Sequence, residues 1–78
     1  MQKNDVKVGQ KVKFFGSTFV GRYFAEGTVV APFGDEGNEW EIKVERVIQS
    51  DEGLTIESVR DHSADQIILL HSWNLEAA

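Results

Sequence analysis

The side chains able to do acid–base or metal chemistry in this sequence are few and scattered. Its two histidines are His62 and His71, and the nearest carboxylates are Asp61 and Asp65 beside the first of them. A zinc-type centre needs three or four ligands converging on one point, and a general acid or base needs a positioned partner and a pocket. The spacing supplies neither, so His62 reads as a turn residue and His71 as a strand-end residue. The absence of cysteine excludes disulfides, thiolate nucleophiles and all-cysteine metal sites, and it fits a reducing cytoplasm. No glycine run has the GxxxxGK(S/T) spacing that cradles a phosphate between strand and helix. Asp35-Glu36-Gly37-Asn38-Glu39 lacks the ligand positions of a calcium-binding loop. These residues predict no catalytic group, no metal site and no cofactor.

Binding chemistry is better represented. Five of the eight aromatic residues (Phe14, Phe15, Phe19, Tyr23 and Phe24) fall within residues 14–24, a stretch that the strand pattern assigns largely to a loop. A loop on so small a protein cannot bury five rings, and grouped exposed rings supply much of an interface's free energy when they are desolvated. Phe15, Phe19 and Tyr23, joined by Trp40 where its ring reaches the surface, are therefore the expected contacts for a protein partner or for a homo-oligomer. The competing arrangement keeps Phe14, Phe19 and Phe24 inside and leaves Tyr23 alone outside.

Two charge patterns offer a nucleic-acid alternative. Lys11, Lys13 and Arg22 flank the rings, and single-strand binders combine cations with stacking platforms in this way. Three or four cations release too few counterions for more than weak binding, and the chain is acidic overall, with a net charge of −5. Charge is also unevenly placed. Residues 1–25 hold Lys3, Lys7, Lys11, Lys13 and Arg22 against Asp5 alone, whereas residues 26–78 hold Lys43, Arg46 and Arg60 against the other twelve acids. Glu39, Glu41 and Glu45 would project together from one strand face, alternate residues being about 6.6 Å apart. Such a row could imitate a phosphate backbone and inhibit a nucleic-acid-binding protein. As an ordinary solvated face it would deter edge-to-edge aggregation.

The elements that must position these residues are short. Seventy-eight residues allow one domain over 1–78, with 1–5 expected to be flexible. No apolar run approaches the ~20 residues of a membrane helix. Val12 and Phe14 alternate with Lys11 and Lys13, which predicts a half-buried strand over Lys11–Phe15. A second strand is expected over Glu26–Ala31, stopped by Pro32. A third carries Trp40, Ile42, Val44 and Ile48 on one face and Glu39, Glu41, Lys43 and Glu45 on the other. Arg46 falls on the apolar side, so a bend or bulge is expected there. Ser50-Asp51-Glu52-Gly53 predicts a turn closed by a left-handed glycine, leading to a fourth strand from Leu54 through Val59. Ile67–Leu70 is apolar on both faces and reads as a strand, with a helix from Ser63 as the alternative. Ser72-Trp73-Asn74-Leu75 predicts a single turn in which Trp73 or Leu75 closes the end of the core.

About five strands, a long aromatic first connection and a near-terminal turn resemble an SH3-like small β-barrel. Val8-Gly9-Gln10-Lys11-Val12-Lys13-Phe14, followed by Gly27-Thr28-Val29-Val30, resembles the opening of KOW- and Tudor-type barrels, in which the first connection borders a ligand groove. The resemblance covers about residues 6–75 and implies an all-β fold while leaving function open. Asp65-Gln66-Ile67-Ile68 also has a partial likeness to the Val-Gln-Ile-Tyr stretch of the plasmid-borne, trimethoprim-insensitive dihydrofolate reductases, which are oligomers. Gln66 and Ile67 match, but Ile68 stands at the tyrosine and Phe14 at a family lysine, so the hydroxyl and the cation are both missing. The expected function is that of a non-catalytic, cytoplasmic interaction module, and its size and acidity would suit an accessory protein of a phage or mobile element.

Overall fold

The computed structural model describes residues 3–17, 21–51, 53, 55 and 67–78. Five strands form one antiparallel sheet: β1 (Lys11–Ser17), β2 (Arg22–Phe33), β3 (Glu39–Ser50), β4 (Ile67–His71) and β5 (Leu75–Ala77). The only helical pieces among the described residues are two 3-10 turns, Lys3–Asp5 and Ser72–Asn74. The fold is therefore small and all-β, as the breaker spacing predicts.

Neighbours run in the order β4-β3-β2-β1-β5. The chain meanders outward from β1, and the terminal turn then carries it back so that β5 pairs with β1, Leu75 opposite Phe14 and Ala77 opposite Val12. Alternation decides what goes inside. Val12 and Phe14 of β1, Tyr23, Ala25 and Val29 of β2, Ile42 and Val44 of β3 and Leu75 of β5 are buried together with Val6, and Trp40, Val47, Ile68 and Leu70 pack against them. Each fully enclosed side chain of this kind contributes about 1.5–3 kcal/mol. Leu75 closes the core, while Trp73 stays 73% exposed.

Three register shifts interrupt the β2–β3 ladder. At the first to matter, Gly27 pairs with Val44 and Glu26 with Arg46, so Glu45 is an extra residue beside Arg46, where a bulge is expected. The extra residue reverses the alternation, which turns Val47 inward and leaves Ile48 exposed, contrary to the face assigned to Ile48 from sequence. Gly27 itself sits so close to β3 that a Cβ would run into the Lys43 carbonyl oxygen.

Strand limits depart from expectation at both ends of β2. β1 and β2 stay paired up to Ser17 opposite Arg22, so the first connection is at most residues 18–21 and is not a long loop. Pro32 lies within the last residues of β2 and does not end it. Gly53 has the expected left-handed φ of 65°. The strand expected over residues 54–59 lies outside the described residues, apart from the exposed Thr55, and so does the reversal at 61–65. Ile67–His71 is a strand, pairing with Glu39–Lys43.

Candidate binding site

The aromatic cluster is built on a ladder of paired residues. In β1 the buried Phe14 forces its neighbour Phe15 to the outer face, and in β2 the buried Tyr23 does the same for Phe24. The two outward rings are direct cross-strand partners, with centroids 4.6 Å apart at a tilt of 41°. Phe15 remains 70% exposed. Beside the pair lies a cavity of about 350 Å³, lined by Gly16, Tyr23 and Arg22 and, from β3 and the turn after it, by Gln49, Ser50 and Asp51. Gly16 is required here, because any Cβ would collide with the end of the Tyr23 ring. Burial pushes the Tyr23 phenol above its ordinary pKa. Arg22 reaches Asp51 at 3.4 Å, both side chains being well exposed, and the Asp51 amide donates to the Arg22 carbonyl at 3.0 Å.

Of the expected contacts, then, Phe15 is at the surface and Tyr23 is a core residue with only an edge on the cavity. Tyr23 faces inward because strand pairing, absent from the loop assignment, fixes its side. Phe19 lies outside the described residues. Trp40 is half-buried against the core, its Nε1 enclosed without a hydrogen-bond partner among the described residues. Its cross-strand partner is Pro32, eight residues beyond Phe24 and roughly 26 Å away at the rise of a strand, so it does not join the Phe15 site. Phe24, Gln49 and Asp51 were missed. Continuing the alternation of β1 through Gly16 and Ser17 would have exposed Phe24 as the partner of Phe15.

The cations do not form an open basic patch. Lys11 Nζ donates to Glu45 Oε1 and to Thr28 Oγ1, each at 2.8 Å, and Thr28 Oγ1 donates to the same carboxylate oxygen at 2.6 Å. Those hydrogen bonds, Lys11 first and Thr28 second, hold the Glu45 carboxyl below its usual value. Arg22 has Asp51, and Lys13 sits between Glu26 and Glu76 in the pairing register. The acidic row is broken in the same way. Glu39 is exposed and Glu41 half-buried, while Glu45 is the bulged residue committed to Lys11.

His71 serves the backbone: its Nδ1 accepts the Trp73 amide at 3.3 Å, capping the last 3-10 turn, and its ring stacks on Trp73 with centroids 3.6 Å apart. His62 is outside the described residues, among which no three His, Cys, Asp or Glu side chains gather into a metal-binding group. Phe14 and Ile68, which stand where the reductase resemblance would need a lysine and a tyrosine, both belong to the core packing. No described helix is long and apolar enough to cross a membrane. Comparison with known proteins finds no matching family model, no matching curated protein and no matching solved structure.

Proposed function

We propose that this protein is a non-catalytic interaction module that engages a protein partner through the outward Phe15–Phe24 pair and the cavity beside it. The observation that carries this reading is the 70% exposure of Phe15 on a paired strand. A ring held by a sheet has little conformational freedom left to lose on binding, so most of its desolvation free energy goes into the complex. The adjoining cavity offers Gln49 and the exposed Arg22–Asp51 pair as polar contacts around that anchor, the apolar-centre, polar-rim layout of protein interfaces. A cysteine-free acidic chain working in the cytoplasm would suit such a role.

Capture experiments with the wild type and Phe15→Ser test the reading. Because Phe15 faces solvent, the variant should keep the wild-type circular dichroism spectrum and urea midpoint. A protein retained by the wild type and lost from the variant, with binding then reproduced between purified components, is the expected result. Equal retention by a folded Phe15→Ser variant would end the proposal.

A further inference from the structure

We propose that His71 is an acid-sensitive latch on the strap that returns the chain from β4 to β5. The strap is the 3-10 turn Ser72–Asn74, and it is fastened at each end. At its start His71 pairs with Glu39 of β3, and the Ser72 amide donates to the Asn38 carbonyl at 2.8 Å. At its close the Leu75 amide donates back to the Ser72 carbonyl, and Leu75 enters the core opposite Phe14. Between these points the Trp73 amide is held by a side chain. His71 stands in the N-cap position and accepts that amide at Nδ1, 3.3 Å away.

An imidazole is an unusual cap. Asn, Asp, Ser and Thr lead at this position, and each accepts through an oxygen. A ring nitrogen accepts through a single lone pair, and a proton arriving at Nδ1 takes it. The turn and the proton therefore compete for one site. With both ring nitrogens protonated, the Trp73 amide faces an N–H in place of an acceptor. Ser72 Oγ, 3.5 Å from the same nitrogen, gives the new N–H somewhere to turn.

The charged neighbours do not undo this competition. Among the described residues, β3 places Glu39 directly opposite His71 and Glu41 two residues along, with Asp35 and Glu36 in the loop before them. β5 carries Glu76, and Lys43 lies at the far end of β4, opposite Ile67. Carboxylates on β3 attract an imidazolium whether the turn is closed or open, because β4 stays paired in both, so they favour the proton without restoring the cap. The Trp73 ring, stacked on His71 with centroids 3.6 Å apart, attracts a cation as well. That contact does not need the backbone hydrogen bond, which makes the amide the group to watch. Once the amide lets go, β5 keeps its three-residue pairing with β1 but loses the closed turn that delivers it.

Amide NMR on the full chain reads this from pH 8 to pH 5, the range over which imidazoles ordinarily change charge. Glu45, held below its ordinary 4.5, stays ionised there. In the wild type the Trp73 amide shift should move together with the His71 ring resonances. Its protection from hydrogen exchange, corrected for the intrinsic rate, should fall about fivefold or more, as for a lost N-cap. His71→Asn, whose side-chain oxygen caps without titrating, should keep that amide protected throughout. His62→Gln should titrate as the wild type does. Wild-type protection that is unchanged across the range would overturn the proposal, as would an equal fall in His71→Asn or its loss in His62→Gln. The wild-type titration decides the matter by itself if a variant fails to fold.

Discussion

Lys11, Thr28 and Glu45 come from three adjacent strands and meet at a single carboxylate oxygen. Each is ordinary alone, but the bulge at Glu45 brings its carboxylate within reach of Lys11 two strands away. Because the folded state holds Glu45 below its ordinary value of 4.5, the contribution is whole above that pH and disappears as pH falls through the lowered folded value. For a pair this exposed it is worth about 0.2–1 kcal/mol. Glu45→Gln should therefore lower the urea midpoint at neutral pH, with the difference from wild type vanishing in acid. Tyr23 gives the opposite limb. Burial raises its pKa above 10.0, so its contribution is whole below pH 10.0 and declines as pH rises toward the raised value. Tyr23→Phe should flatten the alkaline fall in stability, measured against wild type across that range. An unchanged alkaline limb in the variant would mean that Tyr23 ionises as freely folded as unfolded.

At the level of elements, the β2–β3 pair carries most of the fold's individuality. Twelve residues of β2 face twelve of β3 with three slips in register, and a bulge bends its strand and raises the local twist. Gly27 lies at one of these slips, against the Lys43 carbonyl. Gly27→Ala would ordinarily gain a few tenths of a kcal/mol by restricting the unfolded chain. Here the added methyl meets backbone, which cannot swing aside, and overpacking of that kind costs about 1–3 kcal/mol. The variant should be destabilised by about 2 kcal/mol in chemical denaturation, and a neutral or stabilising result would mean that the two strands can separate at Gly27 without cost.

For the whole molecule, the segregation of charge along the sequence is partly undone in space. Lys11 lies against Glu45 and Arg22 against Asp51, each joining a cation of residues 1–25 to an acid of residues 26–78. Net charge still governs long-range encounters, and at −5 it repels polyanions. Single-stranded oligonucleotides should therefore not be retained at physiological salt. Retention that rises as salt is lowered and is abolished by Lys11→Ala/Lys13→Ala would instead establish a phosphate-tracking surface, and the protein-binding reading would give way to it. Release of DNA from a DNA-binding enzyme by the intact chain, weakened by Glu39→Gln/Glu41→Gln, would likewise support an acidic mimic.

Local pattern alone determined much of the architecture. Period-two alternation in Lys11–Phe14 and Glu39–Val44, the β-branched run at Ile67 and the Ser72–Asn74 turn each read correctly, because side-chain parity and turn chemistry are local properties. Parity stops being local at a bulge, and for that reason Ile48 faces solvent and not the core. The aromatic stretch misled for a related cause: Gly16 and Ser17 look like loop residues until pairing with Tyr23 and Arg22 supplies the ladder that keeps them extended. Whether a ring is a core residue or a contact, and whether a lysine is open or already bound to a carboxylate, depends on what lies across the sheet. Only the tertiary structure decided those points, since cross-strand neighbours are chosen by register and chain return, which no short window of sequence contains.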